Sequence, residues 1–187
     1  MRLWTIQTPD ALETIEKTGR YICDKEKSTY YENCKNAYEW MMYKMESHLI
    51  LRPEGVESPI WAWHTYDWTR GKPDFNNVGR KDVEYVCIEL EVPDNEVLLS
   101  DEVMWHCVLN DDYYNPAVTE KVWEELEDWY DNLDEFMKNV IKLESWNSVF
   151  NITQFDNGFT SNGQYIQATF WEIRKEYIVS VEKFIAK

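Results

Sequence analysis

The chain has 187 residues, of which 44% are hydrophobic and 29% are charged, with a formal net charge of −16. This length and composition suit one hydrophobic core, so we expect a single α+β domain spanning residues 1–187. The charge argues against an anionic membrane surface as a partner. It also argues against direct nucleic-acid binding, which needs clustered Lys and Arg side chains to meet phosphates.

The cysteines and the apolar runs bear on location. Cys23, Cys34, Cys87 and Cys107 form no Cys-x-x-Cys pair, which is typical of a reduced compartment. The opening MRLWTIQTPD turns polar too early for a signal peptide. No apolar run approaches the ~20 residues that a membrane-spanning helix needs. We therefore expect a cytoplasmic protein with no membrane span.

Local signals predict the elements of the first half. Thr8 suits a helix cap, Pro9 suits the first helical position, and Gly19 suits the end of that helix. Methionines in the second helix favour core filling over an adaptable binding surface. In chain order we expect a strand over Arg2–Gln7, a helix from Pro9 to Gly19, a loop over Tyr21–Thr29, a helix over Tyr30–His48, a strand over Pro59–Tyr66 and a loop over Asp67–Lys81.

The central stretch Val83–Asn110 predicts the centre of the fold. Alternation over Val83–Val92 indicates a strand, Pro93-Asp94-Asn95 a turn, and Ser100 or Asp101 the cap of a helix that reaches Leu109. The remaining predicted elements are a short strand or connector at Val97–Leu99, one long helix over Ala117–Glu144, a loop over Asp156–Gly163, and strands over Tyr165–Ile173 and Ile178–Phe184.

The predicted long helix has two contrasting faces. Its apolar stripe, which includes Val122, Leu126 and Trp129, is expected to pack on the sheet. Its opposite face is acidic and includes Glu124, Glu125 and Asp128. A solvated surface is the simpler interpretation of that face, and the alternative is a site for a basic protein partner.

Known catalytic motifs are missing from the sequence. There is no P-loop, no G-x-G-x-x-G, no G-x-S-x-G and no H-E-x-x-H. His48, His64 and His106 lie too far apart to supply two metal ligands from one element, so we expect no metal site. A pair between Cys87 and a histidine is formally possible, although a buried cysteine is more often a small hydrophobe.

Aromatic and polar side chains share several predicted strands. Trp61 and Trp63 lie two residues apart on one face of the predicted strand Pro59–Tyr66, and Gln167 lies on the predicted strand Tyr165–Ile173. Rings with amide groups beside them suit a flat base or nicotinamide, and the basic loop Arg70–Lys81 could meet a phosphate. The plainer alternative is a Trp-rich core with exposed polar neighbours.

Five stretches in order along nearly the whole chain resemble one bacterial family, known as domain of unknown function 3841. They are LWTIQ, PIWAWHTYD with KPD after it, VCIELEVPDNEVLLSDEVMWHCVLN, SWNSVF and IQATFWEI. The family name implies no activity.

The opening LWTIQTPDALETIEKTG and the late IQATFWEI are also similar to the ADP-ribosyltransferase fold, especially its DNA-modifying toxin branch. That resemblance implies NAD as a possible cofactor. It implies that Arg2, Thr5, Gln7 and Gln167 hold the ligand and that Trp61 and Trp63 flank it. Glu172 would be the catalytic acid that polarises a ribose hydroxyl.

Together these observations predict an α+β fold, and the second resemblance implies that it is ADP-ribosyltransferase-like. A mostly antiparallel, Trp-rich sheet would be covered by the helices Tyr30–His48 and Ala117–Glu144. Two functions remain open. One is an NAD- or nucleotide-binding domain of the ADP-ribosyltransferase type, active or degenerate. The other is a non-enzymatic acidic protein that binds a basic partner or mimics nucleic acid.

Overall fold

The computed structural model describes residues 1–25, 33–75 and 78–187. The main sheet has six described strands in the order β10-β4-β1-β3-β8-β5, and each neighbouring pair is antiparallel. The strands are β1 (Arg2–Gln7), β2 (Arg20–Ile22), β3 (Ile60–Thr65), β4 (Glu84–Glu91), β5 (Leu98–Asp101), β6 (Phe155–Asp156), β7 (Ser161–Asn162), β8 (Ile166–Phe170), β9 (Glu172–Arg174) and β10 (Ile178–Ile185). The helices are α1 (Pro9–Thr18), α2 (Lys35–Ser47), α3 (Glu102–Leu109), α4 (Glu120–Asp131) and α5 (Glu135–Ser145). The predicted α+β class with a mostly antiparallel sheet is confirmed.

The first face of the sheet packs on α1. Pro9 starts this helix and Gly19 ends it with a φ of 83°, donating its N–H to Ile15 O at 2.8 Å, as the sequence predicts. The Thr8 hydroxyl, however, makes no capping hydrogen bond to any described residue. Ile15 is fully buried against apolar side chains of the central strands, among them Leu3, Ile88 and Phe170. This cluster fixes the middle of the sheet.

The second face packs on α2 and α3. Met41 and Met45 of α2 are completely buried, in one cluster with Trp105 of α3 and Leu98 of β5. The methionines thus fill the core, as predicted. The predicted helix Tyr30–His48 corresponds to α2, although its start at residues 30–32 lies outside the described residues.

The central stretch folds largely as expected. A single-turn 3₁₀ helix (Asp94–Glu96) connects β4 to β5, and α3 follows at once. Asp101 caps α3, since its Oδ1 accepts from Met104 N at 3.0 Å. On α3, Val103 is 50% exposed, whereas Trp105 is buried. The short, strongly apolar helix places its ring inward instead.

The predicted long helix Ala117–Glu144 is wrong as a single element. It divides into α4 and α5 around Asn132–Asp134, because Asp134 acts as a new N-cap, accepting from Met137 N at 2.9 Å. Asp and Asn favour helix ends over helix interiors. Both helices lie wholly within the described residues, and neither contains a buried residue. The expected packing of this segment over the sheet is therefore wrong as well.

The late strand also divides. Trp171 is 4% exposed and its Nε1 donates to Ile50 O at 2.8 Å, which anchors the chain on the α2 side. Residues before it form β8 in the main sheet, and residues after it form β9, which pairs with β2 in a separate two-stranded sheet. The strand β2 and the small hairpin of β6 and β7 both occupy stretches that were expected to be loops. Among the described helices, none is long and apolar enough to cross a membrane.

Candidate functional site

The seam between β1 and β3 is held together largely by side chains. Among the described residues, the register joins these strands at Trp4 and Trp63. On one side of this pair the Thr5 hydroxyl donates to Trp61 O at 2.8 Å. On the other, the Arg70 guanidinium donates to the carbonyls of Arg2 and His64, at 3.0 and 3.2 Å. These side-chain bonds connect the two strands on either side of the Trp4–Trp63 pair.

A cleft of about 370 Å³ lies beside this seam. We call it the tryptophan cleft; it is lined by Ile6, Trp61, Ala62, Trp63, Val78, Gly79, Tyr85 and Gln167. Gln167 is in register with Trp63, and paired residues of an antiparallel ladder share a face, which brings the amide beside the rings. None of these eight described residues carries a charge.

The two tryptophans of the cleft are held firmly by other rings. Trp61 packs against Trp105 at a centroid distance of 4.9 Å and meets Tyr38 edge-on at 6.4 Å. Trp63 meets Tyr66 edge-on at 5.2 Å. The Nε1 atom of Trp61 is buried and has no hydrogen-bond partner among the described residues. Buried indole N–H groups normally find an acceptor, so the unpaired Nε1 makes Trp61 a candidate for contact with a ligand.

A glycine lets the basic loop lie against the cleft. Gly79 has a φ of +82°, and a Cβ placed on it would come within 2.3 Å of Tyr85 Cε2. The absence of a side chain therefore allows the loop to sit directly on the Tyr85 ring. Tyr85 in turn accepts a hydrogen bond from the Arg80 backbone N–H at 3.0 Å. The Arg80 side chain is exposed and forms no ion pair with any described residue.

Thr5 and Gln7 lie next to the tryptophan cleft but do not line it. Both occupy the opposite face of β1 from Trp4, and Thr5 is completely buried. Gln7 Nε2 donates to the Thr5 hydroxyl oxygen at 2.8 Å, which completes a short chain of hydrogen bonds to Trp61 O. Their side chains stabilise the seam behind the cleft.

Arg2 lies at the far end of β1, away from the cleft. Its guanidinium pairs with Glu89 and Glu91 of the neighbouring strand, each at 3.3 Å. The predicted ligand residues are thus divided: Trp61, Trp63 and Gln167 meet in one cleft, whereas Arg2 is engaged elsewhere.

Glu172 lies on the separate sheet formed by β2 and β9. It is 7% exposed and forms ion pairs with Arg174 at 2.7 Å and Arg20 at 3.3 Å. It borders a different cleft, of about 230 Å³, together with Trp171 and Arg174. The structure therefore does not bring Glu172 to the tryptophan cleft. The expectation that it follows Gln167 on one continuous strand fails because the chain leaves the main sheet at Trp171.

The histidines and cysteines show little sign of activation. Burial, with the Arg70 charge nearby, lowers the pKa of His64 to about 4, so this ring is neutral at neutral pH. Burial raises the pKa of Cys87 to about 11, which keeps the thiol protonated. His106 pairs instead with Glu102 at 3.0 Å. Over residues 1–25, 33–75 and 78–187, no group of three or more His, Cys, Asp or Glu side chains is arranged to hold a metal ion.

Five residues of the cleft were not predicted as site residues from the sequence: Ile6, Ala62, Val78, Gly79 and Tyr85. Ile6 and Tyr85 follow ordinary strand alternation, and Gly79 stands in a polar loop, so no local pattern singles them out. Their meeting depends on the register of β1, β3 and β4, which is a long-range property. A glycine just before a strand that carries an aromatic residue was the one available signal.

Comparison with known proteins gives a family and nothing finer. No curated protein and no solved structure matches the chain. A family model described as "Domain of unknown function (DUF3841)" matches residues 2–179. The match covers all but the ends of the chain and agrees with the resemblance seen in its sequence motifs. The chain belongs to the DUF3841 family.

Proposed function

We propose that this protein binds a small ligand with a flat, unsaturated ring, of the nucleobase or nicotinamide kind, in the tryptophan cleft. The observation that carries the proposal is that Trp61, which lines this cleft, has a buried Nε1 with no acceptor among the described residues. A ring nitrogen or carbonyl of a ligand can supply that acceptor. Native structures rarely leave such a group unpaired without a role.

The uncharged lining supports the same ligand class. Trp63 offers an aromatic surface, and the Gln167 amide can both donate to and accept from the edge of a base or nicotinamide. Stacking on an aromatic ring contributes roughly 1–3 kcal/mol per base. Because the lining is uncharged, the part of the ligand held there is neutral.

A phosphate can be accommodated at the edge of the cleft. Arg80 directly follows the lining residue Gly79, and its guanidinium is exposed and free of ion pairs to described residues. A guanidinium binds phosphate with two parallel hydrogen bonds. A nucleotide would then place its ring between the cleft walls and its phosphate at Arg80.

NAD carries a neutral ring of this kind in its adenine, and the similarity of the β1 sequence to the ADP-ribosyltransferase fold points the same way. Transfer of ADP-ribose is not part of the proposal. The acid expected for that reaction, Glu172, is paired with two arginines on another sheet. The proposed role is therefore ligand binding, as in a degenerate member of such a group.

Calorimetric titration with NAD, AMP and nicotinamide tests this proposal. We expect binding of at least one of the three, weakened about tenfold by Trp63→Leu because a stacking contact of roughly 1–3 kcal/mol is removed. Trp123→Leu is the matched control, since Trp123 is 44% exposed on α4 and lies outside the cleft. Absence of heat with all three compounds would contradict the proposal, and so would equal weakening by both variants.

A second candidate function rests on α4 and α5. Within this fully described segment, six large apolar side chains are exposed: Val122, Trp123, Trp129, Phe136, Met137 and Leu143. We call them the α4–α5 surface. Phe136 is 76% exposed, which is unusual for a phenylalanine on an ordered helix. A cluster of exposed apolar side chains on neighbouring stretches of chain is a feature of interaction sites.

Charge selects the kind of partner. Residues 120–145 carry a net charge of −6, from nine acidic and three basic residues. One of the lysines, Lys142, is already paired with Asp111 at 2.8 Å. A second copy of the same surface would bring a further acidic face and be repelled. We therefore infer a basic, amphipathic segment of another protein as the occupant.

A pair of designed peptides tests this second function. An amphipathic Leu/Lys helix should bind and its Leu/Glu counterpart should not, as measured by fluorescence anisotropy at low and high salt. Trp129→Ser with Phe136→Ser should reduce affinity at least about tenfold, because aromatic anchors dominate such interfaces. Leu49→Ser with Leu51→Ser is the control, since both leucines are exposed far from this segment in sequence. Unchanged affinity in the variant with both Trp129→Ser and Phe136→Ser would mean that the peptide binds by nonspecific charge attraction, and this would contradict the second function.

A further inference from the structure

A second uncharged cleft, independent of the tryptophan cleft, lies where α3, the segment that precedes α4 and the hairpin of β6 and β7 meet. Its volume is about 360 Å³, within the roughly 300–1,000 Å³ typical of small-molecule sites. We call it the Asn162 cleft; it is lined by Met104, Tyr114, Pro116, Val118, Ser148, Asn151, Thr153, Phe155, Thr160 and Asn162. None of these ten described residues is charged, in a chain of which 29% is charged.

Asn162, one of the residues that line this cleft, has an unpaired acceptor. Its side chain is 7% exposed, and Nδ2 donates to Thr153 O at 2.7 Å. A backbone carbonyl can only accept, so this bond fixes which end of the amide is oxygen. The other end, Oδ1, is buried without a partner among the described residues. A ligand that satisfies it must offer an O–H or N–H donor.

The backbone around Asn162 holds this acceptor in place. The next residue, Gly163, donates its N–H to Asp101 Oδ2 at 2.7 Å, and that carboxylate is itself buried. Gly163 has a φ of +72°, and a Cβ there would lie 2.9 Å from Ile152 O. The turn therefore has no room for a side chain at position 163. Rotation of the Asn162 side chain away from this position would break its Nδ2–H bond to Thr153 O.

The rest of the lining offers hydroxyls beside an apolar wall. The side-chain hydroxyls of Tyr114, Ser148 and Thr160 make no hydrogen bond to residues in the described parts of the chain. Each can act as donor or acceptor. Phe155, 44% exposed, provides an accessible aromatic face at the same site.

We propose that the Asn162 cleft binds an uncharged, polyhydroxylated small molecule, of the sugar kind. Hydroxyl groups donate to Asn162 Oδ1 and both donate to and accept from the free hydroxyls of the lining. The apolar face of a sugar ring packs on Phe155 and the neighbouring aliphatic groups. A ligand with acceptors alone leaves Oδ1 unpaired, and a charged ligand finds no counter-charge in the lining.

Proton–nitrogen NMR spectra of the side-chain amides test the proposal directly. Glucose, N-acetylglucosamine and maltose are the neutral probes, and glucuronate is the charged one. We expect at least one neutral sugar to shift the Asn162 amide signals in a saturable manner, and glucuronate to bind at least threefold more weakly. Shifts that do not saturate with any neutral sugar would leave a water molecule as the partner of Oδ1 and overturn the proposal.

Variants of the lining make the test independent of Asn162 itself. Thr160→Val removes one free hydroxyl with little change of shape and should weaken binding about threefold to tenfold. Thr14→Val is the control, since Thr14 lies exposed on α1. Equal affinity for wild type and Thr160→Val would contradict the proposal. So would saturable binding of an uncharged peptide, acetyl-Gly-Gly-amide, at Asn162 when no sugar binds.

Discussion

Replacing Asp101 by alanine is expected to lower the free energy of unfolding by about 2–4 kcal/mol. The Asp101 carboxylate is 1% exposed and accepts two backbone hydrogen bonds, from Met104 N at 3.0 Å and from Gly163 N at 2.7 Å. The first bond caps α3, and the second holds the turn between β7 and β8. The variant loses both and leaves two N–H groups without this acceptor.

The matched control for this prediction is Asp134→Ala. Asp134 caps α5 through the equivalent bond to Met137 N at 2.9 Å, but it is exposed and makes no second backbone contact of this kind among the described residues. Its loss should cost about 1 kcal/mol, as for an ordinary N-cap. Urea denaturation of the two variants and the wild type measures the difference. Equal losses in both would mean that the Gly163 bond adds nothing.

Asp101 also shows how much of a residue's structural role can be predicted from the sequence. Its role as a helix cap follows from local pattern, because a small polar residue stands immediately before an apolar helical run. Its bond to Gly163 joins residues that are far apart in sequence, and nothing near either position signals the other. The local sequence predicts the capping bond that Oδ1 accepts, and only the tertiary fold shows the bond that Oδ2 accepts from Gly163.

The segment Ala117–Glu144 shows a limit of local sequence pattern. Its predicted apolar stripe is divided between α4 and α5, and a stripe of this kind does not say whether its partner is in the same chain. Phe136 and Trp129 stay exposed because α2 and α3 already cover the second face of the sheet, with Met41, Met45 and Trp105. Periodicity predicts an apolar face and leaves its contact undetermined.

The candidate ligand residues also divide into those placed by local pattern and those placed by the tertiary fold. Trp61 and Trp63 were predicted on one face of a strand, and the structure keeps that arrangement because period-two alternation is local. Gln167 joins them through the register of β3 and β8, which the sequence could not supply. Glu172 was separated from this group by Trp171, whose ring is buried on the α2 side and turns the chain out of the main sheet.

Glu172→Ala is expected to lower the free energy of unfolding by about 2–3 kcal/mol while leaving ligand binding in the tryptophan cleft unchanged. The buried carboxylate joins Arg20 of β2 to Arg174 of β9. Its removal breaks both ion pairs, leaves Arg174 only its longer pair with Glu96 at 3.7 Å, and loosens the small sheet. Both arginines reach solvent, with 52% and 37% of their side chains exposed, and this keeps the loss below that of a fully buried pair.

Glu182→Ala is the control for this last prediction, because Glu182 pairs with Lys72 at 2.6 Å where both side chains are about half exposed. Exposed pairs contribute about 0–1 kcal/mol, so this variant should unfold close to the wild type. Denaturation and NAD titration of both variants give the answer together. A catalytic acid in an NAD site would behave in the reverse manner: Glu172→Gln would fold normally and abolish ADP-ribose transfer from labelled NAD. A carboxylate that ties two strands together instead shows its loss in the unfolding curve, since its oxygens are already occupied by the arginines that flank it.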